Sequence, residues 1–104
     1  VLRRKIEERG TLNFPEDKGR KLYGELTMIV TVDALGQVLD TEIVQSSGQR
    51  TLDRRAQAIV RAASPFGPFT DAMRKQADQI VVVSRFRFTR DEGFETRLLQ
   101  SSPQ

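Results

Sequence analysis

Apolar and polar positions alternate with period two over residues 23–32. Leu26, Met28, Val30 and Val32 share one side; Glu25, Thr27, Ile29 and Thr31 share the other. That period, with its β-branched content, predicts a strand with one buried face. The alternation returns over residues 80–89, where Ile80, Val82, Ser84, Phe86 and Phe88 oppose Val81, Val83, Arg85 and Arg87. Asp33-Ala34-Leu35-Gly36 reads as a hairpin turn, with Gly36 supplying a positive φ. Residues 38–45 then return as a second strand of ambiguous register. Leu39 and Ile43 favour one face, Val38 and Val44 the other, and a bulge near Val38 reconciles them.

The period changes to 3.6 over residues 51–63, where Leu52, Ala56, Ile59, Val60 and Ala63 form a stripe with Arg54, Arg55 and Arg61 off it. Thr51 is the expected N-cap, Asp53 suits the helix dipole, and Pro65 stops the helix. Residues 1–9 read as a short helix with Val1, Leu2 and Ile6 near one face and Gly10 as its C-cap. Residues 12–15 are extended, and 16–21 form one helical turn. Residues 65–78 are a long connection anchored by Phe66 and Phe69. Residues 91–104 read as a polar tail or, in their first half, a short fourth strand.

This order predicts one α+β domain over residues 1–90, a two-layer sandwich of a small antiparallel three-stranded sheet against two helices. A chain of 104 residues with 38% hydrophobic content supports one small core. Cysteine and histidine are both absent. That removes disulfides, the commonest zinc ligands and any Ser-His or Cys-His nucleophile, so no enzyme is expected. No apolar run is long enough to span a membrane. The absence of an initiator methionine suggests a processed product or an excised domain.

The net charge is +3, carried mostly by arginine, which suits carboxylate or phosphate partners. Asp40 and Glu42 lie on one face of a strand, but no third ligand accompanies them, and a solvated face is the plainer reading. Arg85-Phe86-Arg87-Phe88 resembles a base-stacking surface only superficially. On a strand the two phenylalanines fall on the aliphatic side, away from the arginines, so a small basic nucleic-acid-binding domain is kept only as the runner-up reading. If the strand over 80–89 is a sheet edge, an extended peptide can add to it, flanked by Arg85 and Arg87; those arginines equally serve to keep a bare edge from aggregating.

Several short elements, in order, resemble the TonB C-terminal domain. They are Arg9 with Phe14-Pro15, Tyr23-Gly24-Glu25-Leu26, Asp33 with Gly36-Gln37-Val38, Ser46-Ser47-Gly48, Leu52-Asp53, Ala56, Pro65-Phe66, and Phe86 with Phe88. The resemblance implies a periplasmic domain of an inner-membrane-anchored energy transducer. Its partners would be the ExbB–ExbD motor, through an N-terminal part, and the TonB box peptide of an outer-membrane receptor. The domain would be a monomer or a strand-swapped dimer and would need no cofactor. The implied peptide-binding residues are Val81, Val83, Arg85, Arg87 and Thr89 along the docking strand, with Arg9, Thr11, Asn13 and Phe14 as a second contact region. A TolA-like envelope-integrity domain has a similar plan. The best-known TonB proteins carry glutamine-proline-glutamine-tyrosine-proline where this chain has Thr11-Leu12-Asn13-Phe14-Pro15, which points to a divergent branch or another partner.

Overall fold

The computed structural model describes residues 2–104; the expected place of Val1 on the first helix lies outside them. Helix α1 runs Leu2–Leu12. A two-residue hairpin follows, β1 (Glu16–Asp17) and β2 (Arg20–Lys21), then β3 (Gly24–Asp33), β4 (Val38–Gln45), α2 (Arg50–Ala63), α3 (Asp71–Gln76), β5 (Gln79–Thr89) and β6 (Gly93–Pro103). The main sheet is four-stranded and antiparallel throughout, in the order β4-β3-β5-β6.

The α+β class is as expected, with more strand than anticipated. Leu26, Met28, Val30 and Val32 of β3 and Val82, Phe86 and Phe88 of β5 are buried on one face, where Ile6 of α1 and Leu52, Ala56, Ile59 and Val60 of α2 pack on them. The other face carries no helix. Its centre is Ile29, Thr31, Val81 and Val83, all half-buried.

Four local expectations are corrected. Gly10 does not end α1; it is buried within the helix, and a Cβ there would collide with the Phe94 ring. Residues 16–21 form the small hairpin because Lys18 and Gly19 both take positive φ, 52° and 80°, as a tight two-residue turn demands. Helix α2 begins at Arg50 with Gln49 as its cap, which leaves Thr51 inside the first turn. Within the connection, Thr70 accepts a hydrogen bond from the Met73 N–H at 3.2 Å and starts α3.

Phe66 and Phe69 anchor the connection as expected, both buried. Their backbone N–H groups each donate at 2.8 Å, to the carbonyls of Gly36 and Ala34, tying the connection to the β3–β4 turn. Gly36 has φ 82° and lies so close to the Gly67 backbone that no side chain fits. The second strand's register needs two bulges. The pairing skips Leu39 between Asp40 and Val38, and Val44 between Gln45 and Ile43.

Candidate peptide-binding site

Sequence reasoning puts the docking edge on residues 80–89. In the structure that strand is interior. β5 pairs with β3 from Gly24↔Phe88 to Asp33↔Gln79, and with β6 from Thr89↔Gly93 to Ile80↔Pro103. The chain after Thr89 is therefore a full edge strand of 11 residues rather than a tail or a short extra strand. Phe94 drives it back. The ring is buried, stacks on Phe88 with centroids 4.4 Å apart, lies 5.7 Å from Phe86 and rests on Gly10. The Thr89 hydroxyl accepts from the Glu92 N–H at 3.0 Å and closes the turn.

Val81, Val83, Arg85 and Arg87 consequently offer side chains on the helix-free face and no free backbone. Arg87 is held by Glu25 at 2.7 Å, with Glu92 at 3.9 Å. Arg85 stands directly opposite Arg97, and neither joins an ion pair among the described residues. Phe86 and Phe88 are both 0% exposed and present no face for base stacking. Asp40 and Glu42 are exposed on the edge strand β4, and no metal-holding cluster of acids exists among the described residues.

The two true edges are β4 and β6. On β4 the Val38 N–H donates to Ser64 Oγ at 3.3 Å, and Gln57 Nε2 donates to the Thr41 hydroxyl at 3.2 Å and to its carbonyl at 3.4 Å. The two bulges break the rest of that edge. β6 has one register skip, at Leu99, and one cap. The Thr96 N–H points away from β5 and donates to Glu7 Oε2 at 2.8 Å; the same oxygen accepts from Arg3 Nε at 3.3 Å. Backbone direction alternates along an antiparallel strand, so Leu98, two residues on, also turns its N–H outward. Residues 97–101 are all exposed.

The other implied residues gather elsewhere, on the helical layer. Arg9, Thr11, Asn13 and Phe14 line one groove of about 590 Å³ whose far wall is Arg55 and Ile59 of α2. Thr11 Oγ1 donates to the Glu7 carbonyl at 2.8 Å, and the Asn13 N–H donates to the Arg9 carbonyl at 2.9 Å. Phe14 is half-buried, edge-on to Phe88 at 5.6 Å, with Lys21 Nζ 5.4 Å from its ring centroid. The two sets of implied residues therefore do not form one site. The sequence nominated neither Glu7, Arg55 nor Leu98. Only Arg55 left a trace, as a cation off the buried stripe of α2.

Ser46-Ser47-Gly48 fastens β4 to α2. Both serine hydroxyls donate to the Asp53 carboxylate, Ser47 at 2.7 Å, and the Ser47 N–H adds a third bond at 3.0 Å. Burial pushes the Asp53 carboxyl up, but these three bonds outweigh it and hold it below the usual carboxylate range.

Residues 12–89 match the family model of the Gram-negative bacterial TonB protein C-terminal. The chain belongs to the TonB C-terminal family. Domains of this family are periplasmic and belong to non-catalytic energy transducers. No curated protein and no solved structure matches the chain. The TonB match stops at Thr89, where β5 ends, and takes in only the last residue of α1. The two elements that pack on one another through Gly10–Phe94 and Glu7–Thr96 thus flank the matched region. No helix among the described residues is long and apolar enough to cross a membrane.

Proposed function

We propose that this domain is the receptor-binding end of a TonB-like energy transducer, and that it takes a TonB box peptide as an additional strand against β6. The observation that supports this most is the family match, joined to a sheet whose β6 edge keeps more free backbone than its β4 edge. An extended peptide gains affinity from main-chain hydrogen bonds, and alternate side chains give specificity. A pull along such a peptide loads those bonds together, as shear, and β6 hands the load to β5 along its whole length. An N-terminal anchor in the inner membrane and the ExbB–ExbD motor would supply the pull from the proton motive force. The receptor would then admit a siderophore, cobalamin or a similar nutrient. No reaction chemistry belongs to the domain on this reading.

Calorimetric titration with synthetic TonB box peptides tests it. The free edge also admits a second copy of the chain, so the titration is run where sedimentation gives a monomer. Saturable binding of box peptides, and none of scrambled ones, is the expected result. Failure of every box peptide would remove the receptor reading and point to a TolA-like partner.

A further inference from the structure

We infer that the helix-free face of the sheet is a contact surface for a second copy of this chain, the two sheets stacking face to face with their strands crossing near right angles. Such a pair exchanges no strand and leaves both β6 edges open, so it does not depend on the proposed function.

The strand register lays this face out in rows. From β4 across to β6, one row is Gln45, Thr27, Arg85 and Arg97. The next is Glu42, Ile29, Val83 and Gln100, and the one after it is Asp40, Thr31, Val81 and Ser102. Ile29 and Val83 are neighbours at the centre, with Thr31 and Val81 beside them, all β-branched and half-buried. The charges stand at opposite corners. Asp40 and Glu42 are exposed at the β4 corner; Arg85 and Arg97 are exposed at the corner diagonally across. Among the described residues none of these four joins an ion pair, although Arg87, one row further out, is taken by Glu25 and Glu92. Arg85 directly opposite Arg97 is a destabilising pair while no anion meets it.

That pattern is complementary to itself. In a two-fold contact one patch meets its own copy, and residue i touches j where j touches i. A two-fold axis along the diagonal from Gln45 to Ser102 carries each acidic corner onto the arginine corner of the other copy. It also lays Ile29 and Val83 over their counterparts. The strands then cross at about 90°, one of the two preferred angles for stacked sheets. A partner of one sign, such as a nucleic acid, would satisfy one corner and be repelled by the other. Four strands about 5 Å apart, over rows about 7 Å apart, give a footprint of roughly 400 Å² per copy. That lies at the low end for specific contacts, so the pair is weak and reversible.

Sedimentation of the whole chain from about 10 µM to about 1 mM, at low and high salt, reads the association. A reversible monomer–dimer equilibrium that weakens with salt is expected. Asp40→Arg/Glu42→Arg makes both corners basic, and Arg85→Glu/Arg97→Glu makes both acidic. Each variant alone should therefore dimerise about tenfold or more weakly than the parent, and a mixture of equal parts should pair at least as well as the parent. Leu98→Pro on β6 should leave the pair unchanged, since no sheet edge takes part. A parent that stays monomeric to about 1 mM, charge variants that dimerise as the parent does, a mixture that stays monomeric, or a dimer lost in Leu98→Pro would each overturn the inference. Strand addition fails or stands separately, because Asp40→Arg/Glu42→Arg on β4 should bind box peptides as the parent does.

Discussion

The two edges of this sheet are guarded in different ways. β4 is defended within the sheet's own body. Its two bulges leave Leu39 and Val44 half out of the ladder, 48% and 49% exposed, and Ser64 and Gln57 occupy backbone groups the bulges do not disrupt. β6 is defended at one point from outside, by the Glu7 carboxylate of α1 on the Thr96 N–H. It is pinned at its first half by Phe94 and Thr96, and its second half projects exposed side chains. Bulges interrupt an edge and discourage pairing along it. β4 carries two of them, whereas β6 carries one register skip, at Leu99, and one carboxylate cap, so less of its edge is interrupted. The family match takes in the β4 edge and stops short of the β6 edge.

The sharpest way to break this comparison is to unpin β6. Phe94→Ala should cost about 3–4 kcal/mol in chemical denaturation, the usual range for truncating a buried phenylalanine. A loss below ~1 kcal/mol would mean that β6 is a detachable tail and that β5 is the functional edge. Leu98→Pro removes one outward donor at a position where an edge strand tolerates proline. Box-peptide affinity should drop by about tenfold, one hydrogen bond's worth, with the fold retained.

Asp53→Ala probes the β4 side. It should cost about 1–2 kcal/mol, because three donors lose a charged acceptor. The carboxyl is lower in the folded state than unfolded, so its contribution is complete above the unfolded value and is lost as pH falls through the folded one. Denaturation midpoints should fall with acid in the parent, and by less in the variant. Glu7→Ala gives the smallest effect, under ~1 kcal/mol for a half-buried residue on a helix surface, and shows instead as faster hydrogen exchange at the Thr96 amide. Unchanged exchange there would mean that Glu7 does not guard the edge.

Much of the central fold is legible in the sequence because its signal is local. β3 and β5 alternate cleanly, and α2 carries its apolar stripe at helical spacing. What escaped depends on packing between residues distant along the chain. Gly10 looks like a helix stop until Phe94 is seen on top of it. β6 looks like a tail because only Phe94 and Thr96 are buried along it. Without β6, β5 takes the place of an edge, and the docking residues follow it there. The groove residues Arg9, Thr11, Asn13 and Phe14 do converge, but Arg55 and Ile59 arrive from α2, some forty residues on, and nothing local announces them.

The measurement that bears most directly on strand addition at β6 is an amide NMR titration with a TonB box peptide, following shifts and cross-strand proximities together. The account predicts shifts concentrated on residues 97–102, a peptide lying along the outer side of β6, and β5–β6 pairing left intact. A peptide lying along β5, with β6 displaced from the sheet, would contradict it.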